Sequence, residues 1–275
     1  MPSRAVLITG AAGGLGSVMT AALLAGGHAV AAVDRSAEAL GRLTARHGVG
    51  RERLLPIEAE LSNPAACAVA VETAAAHFGR LEGVVNNAGI GMSAIRPDAE
   101  TNHPGIAEMT AATWDLFFAV NVRAPLMVTQ AALPHLKRAG WGRIVNNTTS
   151  YRTMLRVLPY GATKSALESM SAVWALELEG TGVCVNVLVP GGPTDTPFIN
   201  DASGWPRDQM LRPAIMGPPI SWLMSEASNG INGKRFTAQH WDASLPPDQA
   251  AKTAGRDIGW PELAVGPAWF TTQDR

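Results

Sequence analysis

Tyr160 and Lys164 lie four residues apart and have the clearest chemical use of any pair in the sequence. The Ala, Leu, Glu and Ser content of residues 158–179 predicts a helix, and this spacing places both side chains on one helix face. A phenol with a pKa of about 10 is hardly ionised at neutral pH, and lowering that pKa by about three units takes roughly 4 kcal/mol. The Lys164 ammonium supplies part of the positive field required. Tyr160 is therefore expected to exchange a proton with a hydroxyl or carbonyl group.

A glycine-rich turn near the N-terminus could hold a phosphate. Residues 4–9 predict a buried strand, residues 10–16 a turn, and the Ala/Leu-rich residues that follow, as far as Gly26, a helix. Glycine allows close approach to backbone N–H groups and to the positive helix N-terminus. The pattern predicts a dinucleotide cradle.

The choice of dinucleotide depends on the end of the next predicted strand, residues 29–33. Asp34 follows it, and a carboxylate there would accept hydrogen bonds from ribose hydroxyls and repel a 2′-phosphate. NAD is thus favoured over NADP. Arg35 is a competing feature, because its guanidinium could pair with a 2′-phosphate.

Composition limits the partners. The chain has 275 residues, 47% of them apolar, enough for one sizeable core. Its 22 basic and 23 acidic residues form no run of like charge, so neither nucleic acid nor a membrane is expected as a partner. Cys67 and Cys184 form no CxxC pair and no histidine cluster accompanies them, so we expect no disulfide framework and no metal site. A reducing cytoplasm fits this pattern.

Residues 5–33 contain no charged side chain and follow Arg4, as the apolar part of a secretory leader would. Four glycines between positions 10 and 16 interrupt what a leader or a membrane helix would keep continuous. This run is therefore predicted to form strand, turn, helix and strand.

Strands and helices are predicted to alternate along the chain. Residues 54–61 predict a strand, residues 63–78 a helix and residues 83–85 another strand. This order predicts one α/β domain over residues 1–275, a Rossmann-type doubly wound parallel sheet of about seven strands with helices on both faces. Ligands of such sheets bind outside the carboxyl ends of the strands.

Three motifs in this order resemble those of the short-chain dehydrogenase/reductase family. The turn at residues 9–16 matches its TGxxxGxG pattern, residues 86–89 its NNAG motif, and Tyr160 with Lys164 its YxxxK pair. The resemblance covers about residues 4–238. It implies an NAD-dependent oxidoreductase that transfers hydride between the cofactor and a small-molecule secondary alcohol or ketone, as a homo-tetramer or dimer.

The family usually carries a serine thirteen residues before the tyrosine, where this chain has Asn147. Counting from the strand that begins at Gly142 selects Thr149 instead, which implies a loop shortened by two residues. Because loops absorb deletions and threonine donates the same hydrogen bond as serine, Thr149 is predicted to bind the substrate oxygen. Ser150 is the alternative, although strand alternation would point it to the opposite face.

Two features that precede the predicted strand at Gly142 affect the expected substrate pocket. Asn121 resembles the family's helix-borne asparagine, where a backbone kink allows a water of the proton relay to be held; a place on a subunit interface is the alternative. Residues 93–108 predict a long loop at the site mouth. This loop either shapes the substrate pocket or is a surface insertion.

Residues 183–189 predict another buried strand, and Pro190 and Gly191 resemble the family's motif next to the nicotinamide carboxamide. A threonine usually makes that contact; Thr196 is preferred here and Thr194 is the alternative. Residues 193–217 correspond to the substrate loop. Their Trp and Met side chains favour a hydrophobic or cyclic substrate, unless they serve ordinary packing.

Residues 233–238 predict an edge strand, and residues 239–275 a C-terminal extension. With Trp241, Trp260 and Trp269 the extension is too aromatic for a disordered end. It is expected either to fold over the substrate mouth or to dock on a neighbouring subunit.

The predicted site is therefore as follows. The catalytic residues are Tyr160, Lys164, Thr149, Asn121 and, as the alternative to Thr149, Ser150. The cofactor-contacting residues are Thr9, Gly10, Gly14, Leu15, Gly16, Asp34, Arg35, Glu60, Leu61, Asn87, Ala88, Gly89, Tyr160, Lys164, Pro190, Gly191, Thr194 and Thr196. Glu60 replaces the family's usual aspartate near adenine, which leaves that carboxylate contact open. A catalytically idle NAD-binding regulatory protein is the alternative function, and a lyase or epimerase with bound NAD is a third.

Overall fold

The computed structural model describes residues 3–262 and contains one eight-stranded sheet. The strands are β1 (Ala5–Thr9), β2 (Ala29–Asp34), β3 (Leu54–Glu58), β4 (Gly83–Asn86), β5 (Gly142–Asn146), β6 (Val183–Val189), β7 (Lys234–Thr237) and β8 (Gly255–Asp257). The helices are α1 (Gly14–Ala25), α2 (Ala37–His47), α3 (Pro64–Phe78), α4 (Ala111–Phe118), α5 (Ala124–Arg138), α6 (Tyr151–Met154), α7 (Tyr160–Glu177), α8 (Gly217–Leu223) and α9 (Pro247–Ala254). Trp269, part of the predicted extension, lies outside the described residues.

The strand order is β3-β2-β1-β4-β5-β6-β7-β8, and β1 to β7 are parallel. Leu7 on β1 is in register with Ala31 on β2 and with Val84 on β4. The chain winds outward in one direction from β1 and in the other from β4, so a crevice opens between them at the carboxyl ends. The predicted doubly wound parallel sheet is confirmed.

The sheet has eight strands where the sequence predicted about seven, and its edge strand also differs from the prediction. The predicted edge strand over residues 233–238 is internal, because β8 pairs antiparallel with β7, with Arg235 opposite Arg256. The C-terminal extension supplies both α9 and β8. A three-residue strand with two charged side chains has no apolar alternation, so only its pairing with β7 reveals it.

Helices cover both faces because the side chains of the central strands alternate between two cores. Val6 and Ile8 of β1 lie in the cluster that α1 and α8 share, whereas Leu7 lies in the cluster beneath α3, α5 and α7. All five residues of β1 are buried, as expected for a central strand of a parallel sheet.

Local sequence sets the helix ends. The Ser36 side chain accepts a hydrogen bond from Ala39 N at the start of α2, and Asn63 caps α3 in the same way. Gly79 ends α3 in the left-handed conformation, with φ 67°. The predicted strand over residues 54–61 ends early, at Glu58, because the chain then turns into the cap of α3.

One continuous helical stretch, Ala111–Arg138, is long and apolar enough to cross a membrane, with a mean hydropathy of 1.4 in its most apolar window. Half of that window is buried inside the fold. Val128 and Ala132 of this stretch lie in the core beneath the sheet, so its apolar character is that of a core helix. The uncharged run over residues 5–33 likewise forms β1, α1 and most of β2.

Candidate active site

The glycine turn lies at the carboxyl end of β1, beside the crevice. Gly10 adopts φ 63°, and a Cβ there would come within 2.9 Å of the Ala88 Cα. A Cβ at Gly16 would overlap the Gly10 carbonyl oxygen, so neither position accepts a side chain without moving the backbone. Leu15, between Gly14 and Gly16, packs against the core cluster under α1. The turn is thus too tightly closed for a side chain at Gly10 or Gly16.

The N-terminus of α1 differs from those of the neighbouring helices. Ser36, Asn63 and Thr110 cap α2, α3 and α4 with a side-chain oxygen, whereas α1 begins after Gly13 with no side-chain cap. Its first N–H groups therefore have no side-chain acceptor. An anion is favoured at such a helix end, both by the free N–H groups and by the helix dipole.

Asp34 ends β2 next to this turn. Its carboxylate accepts hydrogen bonds from Ala12 N at 3.1 Å and from Ser36 N at 3.3 Å. These bonds hold the carboxylate half-buried at the strand end and still leave lone pairs for a ribose hydroxyl. Arg35, the competing residue, is exposed.

The NNAG segment is tied to the end of β1. The Thr9 hydroxyl accepts hydrogen bonds from the Asn87 and Ala88 backbone N–H groups, both at 3.0 Å. The Asn87 side-chain amide donates to the carbonyl oxygens of Thr9 at 3.0 Å and Gly10 at 3.1 Å. The two loops beside the crevice therefore form one unit. Glu60 and Leu61 follow β3; Glu60 is exposed, whereas Leu61 is buried.

Asn121 lies in a π-helical turn, Ala119–Arg123, that interrupts the helical stretch between α4 and α5. Its amide is fully buried; it accepts from Ile90 N at 2.9 Å and donates to Ile90 O at 3.0 Å and to Thr163 Oγ1 at 3.1 Å. A Cβ on Gly89 would lie 3.1 Å from Asn121 Oδ1 and 3.5 Å from Lys164 Nζ. Asn121 therefore joins the NNAG segment to the helix that carries Lys164.

Tyr160 and Lys164 begin α7, and the Lys164 ammonium lies 5.7 Å from the Tyr160 ring centre. Lys164 is buried and donates to the Asn147 carbonyl oxygen at 2.8 Å. Burial lowers the pKa of Lys164 to about 8. Burial raises the pKa of Tyr160 to about 12, against the opposing effect of a hydrogen bond with the Thr149 side chain.

The hydroxyl groups of Thr149 and Ser150 have different uses. Thr149 interacts with the Tyr160 side chain. The Ser150 oxygen caps α6 by accepting from Thr153 N at 3.1 Å, and it also hydrogen-bonds the Thr153 hydroxyl at 2.9 Å. The Thr149 side chain thus lies close enough to Tyr160 to lower its pKa, whereas the Ser150 hydroxyl serves as a helix cap.

The segment after β6 returns to the glycine turn. Gly191, which follows Pro190, adopts φ 109°. The Thr194 hydroxyl donates to the Gly192 carbonyl oxygen at 3.1 Å, whereas Thr196 lies against Gly14, where an added Cβ would overlap its side chain. Thr196 is thus the threonine beside the glycine turn.

Phe198 lies over the centre of the site. Its ring is 5.9 Å from the Tyr160 ring and covers Gly91. The loop that carries it is tied together by Arg207, which binds Asp195 at 3.2 Å and the Ile199 carbonyl oxygen at 2.6 Å. Met216, at the far end of the predicted substrate loop, is fully buried in the core, so ordinary packing explains it.

The segment over residues 93–108 contacts this loop. The Ser93 hydroxyl donates to the Phe198 carbonyl oxygen at 3.3 Å, and the Glu100 carboxylate accepts from Ser93 N at 3.1 Å. Arg96 bridges to Glu108 at 2.7 Å. One end of the segment therefore touches the loop over Tyr160.

Sequence reasoning did not identify three elements around the site. These are Phe198 over Tyr160, Thr163 beneath Asn121, and a buried ion pair between Glu168 and Arg235. Only Glu168 carried a sequence signal: it is a charged residue one helical turn after Lys164, on the same face of the predicted helix. The other two contacts join residues that are far apart in sequence.

Comparisons with known proteins agree with this geometry. The chain matches the family model described as short chain dehydrogenase over residues 4–206. It is 31% identical over 245 residues to D-threitol dehydrogenase of Mycolicibacterium smegmatis, covering 85% of this chain and 90% of that protein. It is 30% identical over 246 residues to 2-(R)-hydroxypropyl-CoM dehydrogenase of Xanthobacter autotrophicus, covering 84% and 95%. The crystal structure of 3-ketoacyl-(acyl-carrier-protein) reductase from Brucella melitensis complexed with NADH is similar at TM-score 0.71 and 28% identity, over 83% of this chain and 93% of that one. This chain therefore belongs to the short-chain dehydrogenase family of oxidoreductases.

Proposed function

We propose that this protein is an NAD-dependent dehydrogenase that interconverts a secondary alcohol and its ketone. The observation that carries the proposal is the convergence of Tyr160, Lys164 and Thr149 near Gly89, whose NNAG segment is bonded to the glycine turn. The names of relatives, two dehydrogenases and a ketoacyl reductase, support the alcohol and ketone pair.

The residues around the crevice fit a nicotinamide dinucleotide. The uncapped N-terminus of α1 suits its pyrophosphate, and Gly10 and Gly16 keep side chains out of the turn. Asp34 is placed to accept from a ribose hydroxyl. Thr196 adjoins Gly14 and is assigned to the nicotinamide end, ahead of Thr194.

Tyr160 is assigned the proton transfer. With a pKa near 12 in the protein alone, the phenol keeps its proton at neutral pH and can donate it to a ketone oxygen. Alcohol oxidation needs the phenolate, which Lys164 and Thr149 favour by charge and by hydrogen bonding. When bound, an oxidised nicotinamide accepts the hydride and adds a second positive charge.

The other residues hold the substrate and pass on the proton. Thr149 is assigned to the substrate oxygen, because the Ser150 hydroxyl already caps α6. Asn121 is assigned to a proton relay through Lys164, since its π-helical turn and Gly89 bring it close to that ammonium. A buried Lys164 with a pKa near 8 is charged at neutral pH and gains or loses a proton easily.

NAD is assigned in preference to NADP. The Asp34 carboxylate is held in place by two backbone N–H groups, whereas Arg35 is exposed. A fixed negative charge at the ribose would repel a 2′-phosphate more than an exposed, water-screened guanidinium would attract it.

The pocket favours a hydrophobic or cyclic substrate. Phe198 lies over Tyr160, so a substrate whose oxygen lies between Tyr160 and Thr149 would place its carbon skeleton against an aromatic ring.

We assign residues 193–217 to the substrate loop of a single catalytic domain and residues 239–275 to an extension. We further infer a cytoplasmic location, which suits the two free cysteines.

Self-association as a dimer or tetramer is also inferred. α5 and α7 pack on the same core cluster, and they and α4 leave large apolar side chains exposed. These are Trp114, Leu116, Leu126, Val173 and Leu176. Apolar surface of this kind is typical of subunit interfaces. Light scattering after size-exclusion chromatography tests this: Leu176→Glu should lower the mass of the wild-type assembly, and a monomeric wild type would contradict the inference.

The decisive experiment follows the NADH absorbance while the protein is offered a panel of open-chain and cyclic secondary alcohols with NAD, and the matching ketones with NADH. Turnover of at least one pair, slower with the 2′-phosphorylated cofactor, is expected. Tight NAD binding without turnover on any member would instead favour the catalytically idle regulatory protein.

A further inference from the structure

Glu168 and Arg235 form a buried ion pair at the edge of the active site. Glu168 lies on α7, one turn after Lys164, and is fully buried; Arg235 lies on β7 and is 5% exposed. Arg235 Nη1 is 2.6 Å from Glu168 Oε2. An ion pair so far from water stabilises a fold only when its remaining polar atoms are also hydrogen-bonded. The other hydrogen bonds of the two side chains therefore show which parts of the fold the pair connects.

The remaining contacts of Arg235 lead to the segment that carries Thr149. Nη2 donates to the Thr149 carbonyl oxygen at 2.5 Å, and Nη1 also donates to the Thr148 hydroxyl at 3.1 Å. The Thr148 hydroxyl in turn donates to Glu168 Oε2 at 2.7 Å. The planar fork of the guanidinium therefore fixes two successive residues at once.

The C-terminal extension closes the same network. The Arg235 guanidinium lies 4.2 Å from the Tyr151 ring centre, and the Tyr151 hydroxyl donates to the Gly259 carbonyl oxygen at 2.7 Å. Gly259 N donates to the second oxygen of Glu168 at 3.3 Å. Elements from α7, β7 and the extension thus meet around residues 148–151.

We propose that Arg235, held in place by Glu168 and Tyr151, is a positioning residue that sets where the Thr149 hydroxyl stands relative to Tyr160. This inference rests on the proposed function, which gives Thr149 its role. Thr149 lies between the end of β5 at Asn146 and the start of α6 at Tyr151. Its carbonyl is therefore outside the regular strand and helix, and Arg235 is the side chain that anchors it.

The test compares three variants of the full-length protein. The first, Arg235→Met, leaves Glu168 buried and unpaired and is the one at risk of misfolding. The second, Glu168→Met with Arg235→Met, removes both charges and should lose less stability than Arg235→Met, because it leaves no unpaired buried charge. The control, Lys234→Met, breaks the exposed ion pair with Asp257 one residue away on β7.

In the double variant we expect kcat to fall by the order of 100-fold, because small misplacements of a reacting group cost this much. The affinity for NAD should be unchanged. The pH at which alcohol oxidation reaches half of its maximal kcat should rise, since Thr149 no longer stabilises the phenolate. In a Thr149→Ala background the same double change should add no further loss. Either of two results would overturn the inference. One is a wild-type kcat in the double variant; the other is a further loss of kcat of about 100-fold when the double change is made in the Thr149→Ala protein.

A second readout does not depend on turnover. Hydrogen exchange of a peptide spanning residues 147–154 should be faster in the double variant than in Lys234→Met, while the peptides of α7 stay protected. Unchanged exchange in this peptide would contradict the proposal that Arg235 holds the Thr149 segment in place, even if kcat fell. If the segment loosens but the wild type oxidises no alcohol, the proposed function is wrong and the anchor stands.

Discussion

The nucleotide half of the sheet (β1 to β4) and the catalytic half (β5 to β8) hold their site residues by different means. In the nucleotide half the contacts are made largely by the backbone: Gly10 and Gly16 allow a tight turn, and Thr9 and Asn87 bond to main-chain groups. In the catalytic half they are made by side chains, and these include Glu168–Arg235, the most buried ion pair among the described residues. The first arrangement depends on short motifs, and the second depends on which elements become neighbours.

The difference has a physical cause. A phosphate is recognised by any set of N–H groups at a helix N-terminus, so a glycine turn suffices. A proton transfer needs a phenol, an ammonium and a hydroxyl at set distances, and those come from separate elements. We therefore expect loss of a reacting group in the catalytic half to lower rates most, and changes in the nucleotide half to alter cofactor binding and stability.

The largest effect is expected from Tyr160→Phe. Loss of the general acid and base should lower kcat by about 1,000-fold, while NAD affinity stays near that of the wild type. Steady-state rates and NAD titration measure the two quantities. For comparison, Tyr151→Phe removes the hydroxyl of the other tyrosine of the chain but keeps the ring beside Arg235, so it should lower kcat far less than Tyr160→Phe. A Tyr160→Phe protein with normal turnover would rule out the proton-transfer assignment.

The buried Lys164 should make stability depend on pH. Burial lowers its pKa from 10.5 to about 8, so between these values the unfolded chain binds more protons than the folded one. The free energy of unfolding, relative to that of Lys164→Met, should therefore rise with pH across this window, by at most about 3 kcal/mol. Urea unfolding of both proteins at pH 7 and at pH 10, chosen to bracket the lowered pKa, measures the difference. A constant difference would show that Lys164 titrates normally.

The two neighbouring hydroxyls distinguish rate from stability within the catalytic half. Thr149→Ala should lower kcat by about 100-fold, as loss of a donor to a reacting oxygen does. Ser150→Ala should leave kcat nearly unchanged and lower the free energy of unfolding by about 1 kcal/mol, because it removes a helix cap. The opposite pattern in kinetics and thermal unfolding would transfer the substrate contact to Ser150.

Gly16→Ala tests the nucleotide half. The added Cβ would overlap the Gly10 carbonyl oxygen, so the free energy of unfolding should fall by about 2 kcal/mol and NAD should bind more weakly. Gly41→Ala is the control, since nothing lies within 4 Å of a Cβ there, and alanine inside α2 should stabilise by about 0.5–1 kcal/mol. Equal effects of the two changes would mean that the turn is not tightly closed.

The smallest effect is expected from Asp34→Ala. Removing the carboxylate should shift the ratio of kcat/KM for NAD to that for NADP by about tenfold toward NADP, equal to about 1.4 kcal/mol. The free energy of unfolding should fall as well, because the change removes the hydrogen bond that Asp34 accepts from Ala12 N. An unchanged cofactor ratio would assign the preference to Arg35 or another group.

Much of the fold could be predicted because its signals are local. β6 spans Val183–Val189, the same residues that the apolar run predicts, and α3 differs from its prediction only at the Asn63 cap. β8 could not be predicted, because its three residues, Gly255–Asp257, become a strand only by pairing with β7. The internal position of β7 follows from the same pairing and was equally out of reach.

The sequence by itself determined the family, the glycine turn and the Tyr160–Lys164 pair, because fixed spacing along one element places such groups without help from the rest of the chain. Only the tertiary structure brought the Thr149 side chain to Tyr160 and tied its carbonyl to Arg235, 86 positions along the chain. The same holds for Thr196 beside Gly14. Such contacts depend on how strands order themselves in a sheet, and that order is set by the burial of the whole core.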